Sequence, residues 1–97
     1  MVGIYAFFRV AMEKRTQREE IEEESFDAVK SIYDHNSGVT VIDIQTMDYK
    51  QGKYFTIADV GIELRVKADS YDKACEMAKD ILLPTGVAFN DCRSMVG

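Results

Sequence analysis

Alternating apolar and other side chains mark the beginning of the chain as a β-strand. The apolar positions occur at every second residue: Ile4, Ala6, Phe8, Val10 and Met12. Successive side chains of a strand point to opposite faces of a sheet, so this period of two predicts a strand from Ile4 to Met12. Val39–Tyr49 and Tyr54–Ala68 predict two more strands, which are joined by the turn sequence "YKQGKY" around Gly52.

Two other segments have apolar side chains at helical spacing. The stripe of the first consists of Phe26, Ala28, Val29, Ile32 and Tyr33. The sequence "HNSG" ends this helix, since Gly38 can adopt a left-handed conformation after a helix. Its beginning has two interpretations, because Thr16 with Glu19 has capping-box spacing and Ser25 can also cap a helix. Residues 13–24 are therefore either helix or mobile loop.

The second helical segment follows the third strand. Ser70 or Asp69 can cap it, and its apolar stripe consists of Tyr71, Ala74, Cys75, Ala78, Ile81 and Leu82. Pro84 and Gly86 end it, and Val87–Val96 predicts a final strand. Both helices open with serine, an aromatic residue and aspartate. This similarity reflects either an internal duplication or the preference of serine and aspartate for helix caps.

The predicted order of elements is strand, helix, strand, strand, helix, strand. We expect one domain spanning residues 1–97, because a chain of this length has room for a single modest core. The order β-α-β-β-α-β predicts an α+β fold of the ferredoxin-like type. In this two-layer sandwich, a four-stranded antiparallel sheet carries both helices on one face.

The register of the central hairpin predicts which of its side chains lie on the face without helices. Pairing Ile42 with Ile62 and Ile44 with Val60 keeps the apolar sides of both strands together. This pairing requires an odd number of loop residues, which we expect to be three. The large apolar side chains that this register places on the uncovered face are Met47, Tyr49, Phe55 and Ile57.

An uncovered apolar patch of this size indicates a docking or dimerisation surface. Tyr5 and Phe7 on the first strand can extend it. The predicted partner-binding residues are therefore Met47, Tyr49, Phe55, Ile57, Tyr5 and Phe7. The alternative is a β-bulge, which would rotate the end of the hairpin and return some of these residues to the core.

Acidic residues outnumber basic residues by 17 to 12, and the net charge is −5. This balance argues against direct binding to nucleic acid, because phosphates are bound by clustered lysine and arginine. It is compatible with a protein partner that has a basic surface. We expect Glu19, Glu20, Glu22 and Glu23 either to steer such a partner or to form an ordinary solvated helix face.

Residues that could carry chemistry are few. His35 is the only histidine, and it lies at the end of the first helix. Cys75 and Cys92 have no metal-ligand spacing, and we expect two free, partly buried thiols rather than a disulfide. No phosphate-binding, dinucleotide-binding or nucleophile-elbow motif occurs, so we expect no catalysis, metal or cofactor. The carboxylates that neighbouring strands could bring together are Asp43, Asp48 and Asp59.

The N-terminal sequence "MVGIYAFFRVAM" is apolar but too short to cross a bilayer. It also lacks the basic region and the cleavage site of a signal peptide. Together with the expectation of free thiols, these features predict a cytoplasmic protein that makes no membrane contact.

The second half, "IELRVKADSYDKACEMAKDILLPTGVAFNDCRSMV", resembles the end of the small PurS-like subunit of phosphoribosylformylglycinamidine synthase. Both run through a strand, a helix, a leucine pair, a short turn and an acidic strand. The first half departs from that family, which has a compact turn with Asp, Pro and Gly after its first strand. The resemblance implies an assembly subunit and carries over no functional residue. Amino-acid-sensing ACT-like domains share the topology, but the glycine of their ligand turn is absent between Met12 and Glu24.

The combined expectation is a small, acidic, non-catalytic protein-interaction or regulatory module, whose partner is another protein or a second copy of the chain. One concrete form is an inhibitor that docks on a basic-surfaced, nucleic-acid-binding protein. The alternatives are a PurS-like assembly subunit or homo-oligomeric scaffold, and a small-molecule-binding regulatory domain.

Overall fold

A computed structural model describes residues 1–14, 16–34 and 38–94. It confirms the six predicted elements in their predicted order: β1 (Val2–Glu13), α1 (Arg18–Tyr33), β2 (Val39–Gln51), β3 (Phe55–Val66), α2 (Tyr71–Lys79) and β4 (Val87–Ser94). The histidine, His35, and the predicted end of the last strand, Val96, lie outside the described residues.

The four strands form one antiparallel sheet in the order β2-β3-β1-β4. Helix α1 packs against β2 and β3, and α2 packs against β1, β3 and β4. The described chain is therefore an α+β fold with a four-stranded antiparallel sheet and two helices. The other side of the sheet, here called the open face, includes these residues of the two central strands: Tyr5, Phe7, Arg9, Ala11, Phe55, Ile57, Asp59, Gly61 and Glu63.

The core lies between the sheet and the helices. Every second residue of β1 and β3 contributes to it, as the alternation of the sequence predicts: Ile4, Ala6, Phe8, Val10, Met12, Ala58, Val60, Ile62, Leu64 and Val66. Phe8 is fully buried, and its ring meets Tyr33 and Phe89 edge-on at centroid distances of 6.2 and 5.2 Å. Burying such a side chain contributes about 1.5–3 kcal/mol, so tertiary packing rather than helix propensity holds the two layers together.

Helix α1 begins at Arg18, one residue later than a Thr16 cap predicts and well before a Ser25 cap. Its N-cap is Gln17, which makes no side-chain capping hydrogen bond, so neither Thr16 nor Ser25 caps it. The first turn carries Glu19 and Glu20, whose charges interact favourably with the positive end of the helix dipole. Ile21 is fully buried directly after them. Core packing and the dipole thus fix the start of the helix, and residues 18–24 are helix rather than loop.

Ser25 is fully buried in α1, and its hydroxyl has no hydrogen-bond partner. An unpaired buried hydroxyl is costly, and alanine also has the higher helix propensity. We therefore expect Ser25→Ala to raise the free energy of unfolding by about 1 kcal/mol, measured by urea denaturation. Ser31→Ala, at an exposed position of the same helix, is the matched control for propensity alone. A loss of stability in Ser25→Ala, but not in Ser31→Ala, would contradict the expectation.

Helix α2 is short, and side chains satisfy both of its ends. The hydroxyl of Ser70 accepts a hydrogen bond from the backbone N–H of Lys73, which confirms one of the two predicted caps. At the other end, the buried hydroxyl of Tyr33 donates to the carbonyl of Ala78 at 2.7 Å. The last carbonyls of a helix have no hydrogen-bond donor within that helix. Tyr33 of α1 therefore supplies the donor that the end of α2 lacks. Burial raises the pKa of this tyrosine.

The predicted apolar stripe of α2 is too long. The helix ends at Lys79, so Ile81 and Leu82 belong to the connection that follows, and Leu82 is 94% exposed. In that connection Gly86 has a φ of 93°, a left-handed conformation that favours glycine. Its carbonyl accepts the N–H of Ala11 at 2.7 Å, which ties the connection to the central strand.

The expectation of two free thiols is wrong, because Cys75 and Cys92 form a disulfide. Helix α2 packs along β4, and this packing brings the two Cα atoms to 6.0 Å, within the usual range for a disulfide. The two cysteines are 17 residues apart in sequence. Their proximity depends on the docking of the helix on the sheet, which spacing in the sequence does not reveal.

Candidate functional site

The predicted register of the central hairpin is wrong. Ile62 pairs with Ile44 rather than with Ile42, and Val60 pairs with Met47. Strand β2 has two irregularities, between Val41 and Asp43 and between Ile44 and Thr46, and each shifts the pairing. At the turn, the N–H of Gly52 donates to the carbonyl of Phe55 at 2.7 Å, so these two residues oppose each other and enclose a turn of two residues, Lys53 and Tyr54, rather than three.

The two irregularities return half of the predicted patch to the core side, as the bulge alternative anticipated. Met47 and Tyr49 pair with Val60 and Ala58, which are both buried beneath the helices. Directly opposed residues of paired strands lie on the same face. Met47 and Tyr49 are accordingly half-buried against the hydrophobic core, and they do not belong to the open face.

The other half of the predicted patch lies on the open face. Phe55 is 60% exposed and Ile57 is 42% exposed, and their partners on β1 are Glu13 and Ala11. Tyr54, at the tip of the hairpin, is 69% exposed and extends the apolar surface. We call Tyr54, Phe55 and Ile57 the tip cluster.

Tyr5 and Phe7 also lie on the open face, because they alternate with the buried residues of β1. Both are half-buried, and the guanidinium of Arg93 lies 5.2 Å above the ring centre of Phe7. Along the strand, Tyr5 and Phe7 are separated from the tip cluster by the row that contains Arg9 and Asp59. The open face therefore has apolar side chains at both ends and an ion pair between them.

The charges of the open face are largely paired with one another. Arg9 donates two hydrogen bonds to Asp59, at 2.8 and 3.3 Å. These bonds hold the pKa of Asp59 below its usual value and raise the pKa of Arg9. Glu63 is only 7% exposed, because Arg65 and Gln45 both donate to its carboxylate.

The aspartates that could have formed a carboxylate cluster are not all together. Asp48 pairs with Asp59 across β2 and β3, whereas Asp43 pairs with Glu63 farther along the sheet. The carboxylate of Asp59 already forms an ion pair with the guanidinium of Arg9. Within residues 1–14, 16–34 and 38–94, no group of three or more histidine, cysteine, aspartate or glutamate side chains could hold a metal ion.

A depression of about 350 Å³ lies in the middle of the open face. Gly61 at its base is buried beneath the side chains of Phe7 and Thr46. An added Cβ atom there would lie 2.9 Å from the Phe7 ring and 2.5 Å from the Thr46 hydroxyl, so only glycine fits this close approach. The open-face residues that line it are Phe7, Thr46, Asp48, Asp59, Gly61 and Asn90.

Along both outer strands, aspartate carboxylates accept hydrogen bonds from backbone N–H groups, a feature that the sequence did not predict. Each accepts a hydrogen bond from the residue that follows it: Asp43 from Ile44 (2.8 Å), Asp48 from Tyr49 (2.9 Å) and Asp91 from Cys92 (2.8 Å). The last bond, together with Arg93, lowers the pKa of Asp91. The hydroxyl of Tyr71 also donates to the carbonyl of Cys92. Charged side chains along edge strands oppose pairing with another strand.

The predicted steering residues lie on a different surface. Glu19, Glu20, Glu22 and Glu23 are exposed on α1. The buried side of this helix, which includes Ile21 and Val29, packs on the sheet. The carboxylates therefore lie on the outside of the helix layer, and the structure does not bring them together with the open face.

Comparison with protein-family models, curated proteins and solved structures finds no match to this chain. In the part of the chain that the structure describes, no helix is both long enough and apolar enough to cross a membrane.

Proposed function

We propose that this chain is a non-catalytic protein-interaction module that associates through the open face of its sheet. One observation carries the proposal: Phe55 and Ile57 are 60% and 42% exposed on a face that no described helix covers. Large apolar side chains grouped on an uncovered surface are typical of interfaces, and aromatic residues are over-represented in them.

The acidic surface of α1 supports a second element of the proposal, a partner with a basic surface. The carboxylates at Glu19, Glu20, Glu22 and Glu23 lie close together on the outer side of the helix layer, and the whole chain has a net charge of −5. Opposite charges on two proteins accelerate their encounter. An inhibitor of a nucleic-acid-binding protein is one concrete form of such a module.

The fold on which these surfaces lie is, we propose, ferredoxin-like. The order of elements and the strand order β2-β3-β1-β4 support this assignment.

A second candidate function is a homo-oligomeric scaffold, such as the PurS-like assembly subunit that the second half of the chain resembles. The mutually paired charges of the open face favour this candidate. The Cys75–Cys92 disulfide weighs against the reducing compartment predicted from the sequence.

The test compares the chain with a Phe55→Ser, Ile57→Ser variant as bait in cells of its source. We expect the variant to bind any protein held by the open face, a second copy included, at least about tenfold more weakly, since central apolar contacts dominate interface energies. Leu82→Ser is the matched control, because Leu82 is 94% exposed and belongs to the connection after α2. If the double variant keeps every association of the parent chain, the open face is not the interface.

A further inference from the structure

We infer that the occupant of the open face is a second copy of this chain, packed sheet against sheet. This inference rests on the proposed function, because it names the partner of the same surface. The acidic side of α1 then remains outside the dimer and stays accessible to a basic partner.

The mode of contact follows from the hydrogen bonds at the edges of the sheet. Two copies of a four-stranded sheet can join edge to edge or face to face. At the edges, Asp43, Asp48 and Asp91 occupy backbone N–H groups. Strand β2 also contains two irregularities, and the pairing of β4 with β1 shifts its register between Phe7 and Phe8. Irregular edge strands oppose regular pairing with a strand of another molecule. Face-to-face contact avoids these obstacles.

The area of the open face is sufficient for a specific interface. Strands lie about 4.8 Å apart and rise about 3.4 Å per residue, so four strands of about nine residues cover roughly 19 by 30 Å. Two such faces bury about 1,100 Å² in total when each is treated as flat. Projecting side chains increase the buried area further. Biological interfaces begin at about 1,000 Å².

The charges of the molecule favour this mode of contact between two copies. Each copy has a net charge of −5, so helix-to-helix contact would bring two acidic surfaces together. Two packed sheets are about 10 Å apart and a helix is about 10 Å across. In a sheet-to-sheet dimer the acidic surfaces of the two α1 helices are therefore about 30 Å apart, far beyond the screening length of about 8 Å. Within the open face, Arg9 neutralises Asp59 and Arg65 neutralises Glu63, so most of the charge near the centre of the contact is compensated, with Asp48 beside Asp59 as the exception.

The relief of the face is also self-complementary. Ile57 projects from β3 at one end, and the depression bordered by Phe7, Thr46 and Asp59 lies near Gly61, four residues along the same strand. Asp59 is midway between them. A twofold axis across the strands near Asp59 would place Ile57 of each copy above the depression of the other, in an isologous interface.

Sedimentation equilibrium and light scattering of the purified chain test the inference. We expect the mass to rise from the 11.0 kDa of one chain to twice that value over a concentration range around a dissociation constant of about 1–100 µM. Added salt should leave the dimer intact or strengthen it, since it screens the repulsion between net charges. A mass of one chain at every concentration would overturn the inference.

Variants and a direct contact measurement make the test specific to this face. Phe55→Ser with Ile57→Ser should raise the dissociation constant of the dimer at least about tenfold, whereas Leu82→Ser should leave it unchanged. Equal shifts in both variants would overturn the inference. Circular dichroism verifies that each variant is folded. In a mixed sample of labelled and unlabelled chain, we expect intermolecular NOEs from Ile57 and Phe7. A dimer that shows NOEs only from helix residues would contradict the inference.

The outcomes separate this inference from the proposed function. If the chain is monomeric and the double variant loses a different protein, the inference fails and the proposed function stands. If the chain is monomeric and the double variant keeps all partners, both fail.

Discussion

Reduction of the Cys75–Cys92 disulfide should lower the free energy of unfolding by about 3 kcal/mol, because the bond closes a loop of 17 residues and restricts the unfolded chain. This is a large share of the roughly 5–15 kcal/mol that stabilises a typical domain. The folded chain also loses the link between α2 and β4. A helix of nine residues is marginal without tertiary support. Hydrogen exchange should therefore increase first in α2.

Urea denaturation with and without a reductant measures this effect, with a Cys75→Ser, Cys92→Ser variant as the control. The reductant should leave the stability of the variant unchanged, and the variant should match the reduced parent chain. The hydrogen bond from the Tyr71 hydroxyl to the Cys92 carbonyl involves no sulfur atom, so neither reduction nor the substitutions remove its donor or its acceptor. Equal stability of the reduced and oxidised parent chain would show that the bond does not constrain the unfolded state.

The strands that the sequence predicted well are those with strict alternation. β1 and β3 are the central strands, and one face of each is buried along its whole length. Their apolar period of two is therefore unbroken. The edge strand β2 is different, because the residues that face the helices are spaced by two and by three: Val39, Val41, Ile44, Met47 and Tyr49. Each interval of three marks one irregularity of the register, and Ile42 is left exposed. These intervals are visible in the sequence, and no single register of the whole hairpin accommodates them.

Other features could not be predicted, because they depend on how distant segments meet. The ion pair between Arg9 and Asp59 joins residues 50 positions apart through the pairing of β1 with β3. The disulfide depends on where α2 lies on the sheet. The close packing of Phe7 and Thr46 on Gly61 requires the neighbouring strands on both sides. A pattern of apolar and polar residues predicts elements and their buried faces, but it does not specify these lateral contacts.

Phe8→Ala should lower the free energy of unfolding by about 3–5 kcal/mol, the usual cost of removing a fully buried aromatic ring. The ring contacts Tyr33 of α1 and Phe89 of β4, so its loss leaves a cavity between the sheet and α1. The neighbouring Phe7 is the matched control, since it has the same side chain on the opposite face of the same strand. Phe7→Ala should cost about 1 kcal/mol, because its ring is half-buried and borders an open surface.

The two variants together test the assignment of faces on which the proposals depend. Urea denaturation at low protein concentration, where a sheet-to-sheet dimer dissociates, compares the folding stability of single chains. Raising the concentration should then stabilise the parent chain and the Phe8→Ala variant, by mass action on the dimer. The Phe7→Ala variant should gain less, because its missing ring belongs to the open face. Equal losses of stability from the two substitutions would mean that β1 does not separate a buried side from an open side.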